Sequence, residues 1–178
     1  MSLRNTTTRF GTIAKFLHWT IAVGLWAMFL FGNYISDLKI GPDNFYLIPR
    51  HKAFGILMLS LISIRILWRI TNRPPTPLSS SAREHLIART THAALYLLML
   101  ATPLFGWIGA SATGFSIPFF GLFNVPLLWG EDENIADLFF MFHGFAATTL
   151  IVLSILHLGA ALYHHFILRD DTLRRITR

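Results

Sequence analysis

Two histidines in the last long apolar stretch, His143 and His157, lie 14 residues apart. In an α-helix that turns by about 100° per residue, this spacing brings the two rings to within about 40° of one face, about 21 Å apart along the axis. One helix can then hold two flat cofactors stacked through a membrane. The separation suits two haems, one near each leaflet, each needing a second axial imidazole from a facing helix.

The elements that carry these histidines are too apolar for a soluble domain. Hydrophobic residues make up 53% of the 178 residues and charged residues only 13%, with a mean hydropathy of +0.53. Soluble domains carry about twice that fraction of charge. A helix needs about 20 residues to cross the hydrocarbon core of a bilayer, and four stretches are long enough. They predict an all-α integral membrane four-helix bundle, with helices at about residues 13–35, 51–70, 92–112 and 135–168.

Lysine and arginine are distributed unequally between the two sides of these spans. The termini and the link between the second and third spans hold 12 of the 15 basic residues, and the opposite side holds only Lys39, Arg50 and Lys52. Acidic residues show the reverse bias, so that one side carries +9 and the other −3. By the positive-inside rule, both termini are predicted to be cytoplasmic. Topology therefore explains the basic charge, and no nucleic-acid-binding module is visible.

The connection between the third and fourth spans, residues 113–134, is rich in phenylalanine, proline and glycine. It is predicted to lie on the outer side, in the membrane interface, as a cap over the helix ends. A membrane-anchored loop without a further role explains its composition equally well.

The predicted depths of the histidines sort them into pairs. His51 and His143 lie near the outer surface, whereas His18 and His157 lie at the cytoplasmic depth. Depth matching therefore pairs His51 with His143 and His18 with His157. His92, at the cytoplasmic end of the third span, could replace either member of the inner pair. An interhelical hydrogen bond or an interfacial position explains any single histidine equally well, but four at paired depths favour a cofactor.

Two axial imidazoles occupy both open positions of a haem iron, so the chemistry implied is electron transfer rather than oxygen binding. The chain has no cysteine, which excludes disulfides, iron–sulfur clusters, thiol nucleophiles and covalently attached haem. The sequence also contains no phosphate-binding loop, no HExxH zinc pattern and no serine triad. These absences disfavour a hydrolase or a transferase.

Basic side chains border both predicted haem positions. Arg65 and Arg69, at the inner end of the second span, could bind haem propionates or reach lipid phosphates. Arg50 and Lys52 flank His51 and form a positive patch on an otherwise acidic side. That patch could neutralise propionates, attract a small anion or contact lipid headgroups.

His164 lies beyond the predicted inner haem. It follows His157 by seven residues, so it lies about 10 Å further along nearly the same helix face, at the cytoplasmic interface. This position suits an exchange of protons or a quinone headgroup better than it suits an iron within the membrane.

The order of these motifs resembles the bacterial cytochrome b561 family over nearly the whole chain. The matching segments are, in chain order, Phe16 to Trp19, His51 with Arg65, Leu67 and Arg69, Thr91 to Tyr96, and His143 with His157 and the stretch from His164 to Leu173. The resemblance implies that residues 1–178 form a single transmembrane cytochrome b domain of the bacterial inner membrane. It also implies two haem b groups that exchange electrons between the quinone pool and the periplasmic face.

Members of this family oxidise superoxide at the periplasmic face and reduce ubiquinone near the cytoplasmic one, so the resemblance implies a superoxide:quinone oxidoreductase. The haem ligands that it implies by position are His18, His51, His143 and His157. Trp19 and His164 match residues near the quinone. A lysine that approaches the quinone in other members has no counterpart between Pro77 and Arg89, where Arg83 or Arg89 would replace it.

Two other classes of function share some of these features. A cytochrome b subunit that passes electrons from a periplasmic dehydrogenase or hydrogenase to quinone has a related bundle, and it would need a large outer contact surface. A haem-free proton-coupled transporter is disfavoured because no acidic residue lies near the centre of a span. The expected partners are membrane lipid, a quinone, and either superoxide or a periplasmic redox protein.

Overall fold

The computed structural model describes residues 2–39, 41–76, 78 and 81–177, so Arg178, one of the basic residues counted above, lies outside the described residues. Its helices are α1 (Thr12–Asp37), α2 (Leu47–Thr71), α3 (Ala82–Ala112), α4 (Glu133–Phe166) and the short α5 (Arg174–Thr177). The first four are long and apolar enough to cross a membrane. The predicted all-α bundle of four spans is therefore confirmed.

All four long helices begin before their predicted starts, and side chains cap two of them, α3 and α4. α3 begins at Ala82 rather than near residue 92, and the Ser81 side chain accepts a hydrogen bond from the backbone N–H of Glu84. α4 begins at Glu133, where the Asp132 carboxylate accepts from the N–H of Ile135 at 3.1 Å. A side chain that accepts from these otherwise unpaired N–H groups stabilises a helix start. The polar first turns of α3 thus extend beyond the apolar span.

The centre of the bundle is a small cluster of buried side chains to which all four long helices contribute. Its members are Ile21, Met58, Ile62, Met99 and Leu150. Many other large apolar side chains on these helices are exposed, for example Val23 at 67% and Leu97 at 68%. In a membrane this exposed apolar surface faces lipid rather than water, so the outward faces need no protein partner.

The connection between α3 and α4 folds into a short hairpin of strands β1 (Ile117–Phe119) and β2 (Phe123–Val125). Phe120 and Gly121, in the three-residue connection between the strands, have φ of 49° and 77°, the positive values that tight hairpin turns favour. Ile117 and Val125 are buried against Ala110 of α3, so the hairpin closes one end of the bundle. The prediction of a cap over the helix ends is confirmed. We call this end the hairpin end.

The opposite end, here the terminal end, collects the segments that are rich in basic residues. The Asn5 side-chain amide donates to the Asn72 carbonyl at 3.2 Å, which ties the N-terminal segment to the end of α2. The Arg175 guanidinium donates to the Thr76 carbonyl at 2.6 Å, which ties the C-terminal tail to the α2–α3 link. Both termini and this link therefore meet at one end of the bundle. The assignment of that end to the cytoplasm stays a prediction from the charge distribution.

Candidate functional site

Two cavities lie within the bundle, one toward each end. The hairpin-end cavity measures about 250 Å³ and the terminal-end cavity about 280 Å³. Leu25, Leu150 and Ile151 line both cavities, so the two are neighbours across the middle of the bundle. Five of the eight histidines line them: His51 and His143 border the hairpin-end cavity, and His18, His92 and His157 border the terminal-end cavity.

The hairpin-end cavity holds two facing imidazoles. The ring centroids of His51 on α2 and His143 on α4 are 6.1 Å apart, and the ring planes are nearly perpendicular at 86°. His143 Nδ1 lies 2.8 Å from the carbonyl oxygen of Thr102 on α3. Because a carbonyl only accepts, His143 carries its proton on Nδ1 and leaves the Nε2 lone pair free. A backbone carbonyl orients metal-ligating histidines in this way.

Two glycines make room for these rings. A Cβ on Gly106 of α3 would lie 2.9 Å from His143 Nδ1, and one on Gly32 of α1 would lie 3.1 Å from His51 Cε1. Real Cβ atoms essentially never show a contact below 3.0 Å, and 3.1 Å is tighter than nine in ten of their contacts. Within the described part of the chain, His51 Nδ1 is buried without a hydrogen-bond partner. A buried nitrogen without a partner is rare and indicates that another group belongs beside it.

The terminal-end cavity is lined by three histidines from three helices. The His92 and His157 ring centroids are 5.4 Å apart at an angle of 70°, and the His18 ring contacts Trp19 at 5.1 Å. The structure therefore brings His18 and His157 to one cavity, as depth matching predicts, and adds His92 beside His157. Among the described residues, no group of three or more histidine or acidic side chains converges on one point as a metal site would require.

Two arginines and a tyrosine form a polar wall of the terminal-end cavity. Arg65 Nε donates to the Tyr96 hydroxyl at 3.1 Å. The guanidinium carbons of Arg65 and Arg69 lie 5.8 Å and 5.3 Å from the centre of the Tyr96 ring. No acidic side chain is among the described residues that line this cavity. The wall is therefore positively charged and suits an anionic group such as a propionate.

The two basic residues of the predicted anion patch have different surroundings. Lys52 lines the hairpin-end cavity together with His51. Arg50 is exposed, and its guanidinium carbon lies 4.5 Å above the centre of the Tyr46 ring. A cation over an aromatic face is held there by the ring quadrupole. Only Lys52 therefore presents its charge to the cavity itself.

The residues predicted to lie near a quinone do not line one cavity together, as the predicted haem ligands do. Trp19 Nε1 donates to the carbonyl of Ile176, a residue that lines the terminal-end cavity, at 3.1 Å. His164 Nδ1 lies 2.6 Å from a carboxylate oxygen of Asp170, just beyond the end of α4. Arg89 is exposed on α3 and is not among the residues that line the cavity. None of these three residues is among the described residues that line the cavity: Trp19 and His164 contact the C-terminal tail at the terminal end, and Arg89 is exposed on α3.

Four residues of the site were missed by sequence reasoning. Tyr96 follows His92 by four residues and so shares its helix face, which is a signal the sequence does contain. Thr102 acts through its backbone carbonyl, Gly106 through the lack of a side chain, and Asp170 through a turn of the chain. Those three roles depend on contacts between segments and leave no pattern in the sequence.

Comparison with known proteins agrees with this geometry. Residues 9–178 match a family model described as prokaryotic cytochrome b561. Cytochrome b561 homolog 2 of Escherichia coli (strain K12) is 39% identical over 178 residues, which covers 99% of this chain and 95% of that protein. Cytochrome b561 homolog 1 of the same organism is 32% identical, covering 94% and 96% of the two chains. A probable superoxide oxidase CybB of Yersinia pestis is 33% identical, covering 71% and 72%.

Proposed function

The chain belongs to the prokaryotic cytochrome b561 family of membrane electron-transfer proteins, and we propose that it is a superoxide:quinone oxidoreductase with two haem b groups. Superoxide would donate single electrons at the hairpin end, and ubiquinone would be reduced at the terminal end. The charge distribution supports an inner-membrane orientation with the hairpin end periplasmic and both termini cytoplasmic.

A single observation carries this proposal: each of two neighbouring cavities within the bundle is bordered by imidazoles on different helices. His51 and His143 would hold one haem, and His18 and His157 the other. When bound, haem supplies a centre that takes up and releases one electron at a time. The Thr102 carbonyl accepts from His143 Nδ1 and so leaves Nε2 as the nitrogen that would bind iron.

The arginine wall would position the terminal-end haem. Arg65 and Arg69 stand on the same face of α2, and Tyr96 holds the Arg65 guanidinium through its hydroxyl. A fixed guanidinium offers two parallel donors to a carboxylate, so a propionate would be bound in one orientation.

At the hairpin end, the positive charge of Lys52 supports the proposal that the electron donor is an anion. Lys52 borders the cavity and would attract superoxide, and Arg50 nearby would add to the local positive potential. One relative is described as a probable superoxide oxidase. Each superoxide that loses one electron becomes dioxygen, so two superoxide anions supply the two electrons that one ubiquinone needs. Two protons taken up at the terminal end complete ubiquinol.

The experiment that tests this proposal is a reduced-minus-oxidised optical spectrum of the purified protein, with the extracted haem counted per chain. We expect about two b-type haems with six-coordinate, low-spin bands. About one haem per chain would show that one histidine pair is assigned wrongly. A protein that takes up no haem when haem is supplied would overturn the proposal.

Neutralising Lys52 should slow superoxide oxidation and weaken its salt dependence. In the variant Lys52→Gln we expect the rate at low salt to fall by about threefold and to decline less as salt is added, because electrostatic attraction of the substrate is screened by ions. Stopped-flow reduction of the protein by superoxide measures both effects. Arg50→Gln should have a smaller effect, since Arg50 lies outside the cavity lining.

The matched control for this experiment is Lys39→Gln, which removes a positive charge from the same side of the membrane at a residue that does not line the cavity. If the double variant of Arg50 and Lys52 kept both the rate and the salt dependence of the unmodified protein, entry of superoxide at this patch would be wrong.

Adding a single methyl group at Gly106 should impair the hairpin-end site. In Gly106→Ala the new Cβ would lie 2.9 Å from His143 Nδ1, so the ring must shift and its hydrogen bond to Thr102 must lengthen. We expect the haem of that site to fall by about half in the purified protein, because loss of an orienting contact lowers cofactor affinity about 10- to 100-fold.

Gly144→Ala is the control for this substitution, because no atom lies within 4 Å of its added Cβ. Extracted haem per chain and the optical bands measure the result, and helix content by circular dichroism checks the fold. Equal haem content in the two alanine variants would contradict the role assigned to Gly106.

A further inference from the structure

A histidine and a carboxylate form a fixed pair where the chain leaves α4. Asp170 Oδ2 lies 2.6 Å from His164 Nδ1, and the Asp170 backbone N–H donates to the His164 carbonyl at 3.1 Å. The chain can return in this way because Arg169 adopts a left-handed backbone conformation with φ of 55°. The other carboxylate oxygen, Oδ1, accepts from the Thr172 N–H at 2.8 Å. Both oxygens of Asp170 are therefore held in place.

These contacts determine that Asp170 is ionised and which ring nitrogen of His164 carries a proton. Partial burial works against the charged form of Asp170, but hydrogen bonds from His164 and Thr172 outweigh it and hold the pKa of the carboxyl below its usual value. Asp170 is therefore a carboxylate at neutral pH and only accepts hydrogen bonds. His164 must carry a proton on Nδ1 to donate to it. The nitrogen of His164 that can gain and lose a proton is then Nε2.

The pair lies beside residues that line the terminal-end cavity, although neither His164 nor Asp170 is itself among the described lining residues. Ala161, one turn before His164 on α4, lines the cavity, and so does Thr172, which holds Asp170. The side chains of His164 and Asp170 are each 28% exposed, so water reaches them. A group here can exchange protons with the aqueous side and still stand next to the cavity.

We propose that Asp170 is a positioning residue for proton delivery, holding His164 so that Nε2 transfers a proton to an oxygen of the bound quinone. This inference rests on the proposed function, because it requires that the quinone is reduced at the terminal end. In the step, the Nε2–H bond of the imidazolium breaks and an O–H bond forms on the quinone, whose electrons come from the bound haem. His164 keeps its Nδ1 proton against Asp170, and water then returns a proton to Nε2.

The test follows re-oxidation of the chemically reduced holoprotein by a short-chain ubiquinone in a stopped-flow instrument. In Asp170→Asn we expect the maximal rate to fall about tenfold, while the quinone concentration at half-maximal rate changes less than twofold, since positioning of a proton donor affects the chemical step more than binding. Asp170→Glu, which restores a carboxylate, should recover part of the rate. Asp171→Asn is the matched control, because Asp171 is the exposed next residue and pairs with Arg174 at 3.2 Å.

A double variant separates positioning from a merely structural role. If Asp170 acts through His164, then Asp170→Asn should cause no further loss in a His164→Gln background, because the two residues act as one unit. Haem content and optical bands should be unchanged in all of these variants.

Three results would overturn the inference. Full activity of Asp170→Asn would show that the carboxylate does not position a proton donor. Additive losses in the double variant would show that Asp170 acts independently of His164. If ubiquinone failed to re-oxidise the unmodified reduced protein, the quinone assignment of the proposed function would fail, and this inference would fail with it.

Discussion

Replacing His143 with alanine should reduce the haem content of the purified protein from about two per chain to about one. His143 and His51 face each other across the hairpin-end cavity at 6.1 Å between ring centroids, and no other histidine lines that cavity among the described residues. No third imidazole among the described residues lines this cavity, so a variant without either ring would have only one histidine to bind the haem iron. We therefore expect His51→Ala to lose the same haem as His143→Ala.

Extracted haem per chain and the reduced-minus-oxidised spectrum measure this loss. The bands that remain should be those of a six-coordinate, low-spin haem, since the terminal-end site is untouched. His85→Ala is the control, because it removes an exposed histidine outside both cavities. If His51→Ala and His143→Ala retained both haems, the assignment of this pair would be wrong.

The second large effect concerns the terminal-end cavity, where three imidazoles could serve two ligand positions. We expect His157→Ala and His18→Ala each to lose the second haem and leave about one per chain. His92→Ala should keep both haems and change only the optical bands or the reduction potential of one of them. This outcome follows if His92 packs against His157 without binding iron, as a residue outside the ligand pair that still tunes it.

The ring centroids of His92 and His157 lie 5.4 Å apart, so the alternative pair of His92 and His157 must be tested as well. If His92→Ala lost the haem and His18→Ala kept it, the ligands would be His92 and His157. The electron paramagnetic resonance spectrum of the oxidised protein adds a readout independent of activity, because its signals depend on the number and orientation of the axial imidazoles. Combining His18→Ala with His92→Ala should remove the second haem under either assignment.

The two sites differ in how much of their chemistry could be read from the sequence. At the hairpin end, the spacing of His143 and His157 and the depth of His51 were enough to predict the pair that the structure brings together. At the terminal end, the same reasoning paired His18 with His157 but left His92 as a possible replacement for either, and all three histidines line one cavity. Depth is a coordinate along the helix axis, so it cannot separate two rings at similar depth on different helices.

Several residues could not be predicted because their roles arise only where segments meet. The carbonyl of Thr102 holds His143 across the α3–α4 interface, and Gly106 admits the ring by lacking a Cβ. Asp170 meets His164 because Arg169 reverses the chain after α4. The first two contacts depend on the rotation and axial shift of α3 against α4, and the third depends on one backbone turn.

The sequence by itself determined the four membrane spans, the unequal charge of the two sides and the common helix face of His143 and His157. These properties follow from local composition and from the constant geometry of a helix, so neighbouring segments are not needed to establish them. Only the tertiary structure decided that His92 lies beside His157, that the cap is a β-hairpin, and that Lys52 rather than Arg50 borders a cavity. Those outcomes depend on how the helices pack. Because the helices have similar apolar faces, many helix rotations and axial shifts have similar energies. Specific contacts, such as that of Gly106 with His143, then select one arrangement.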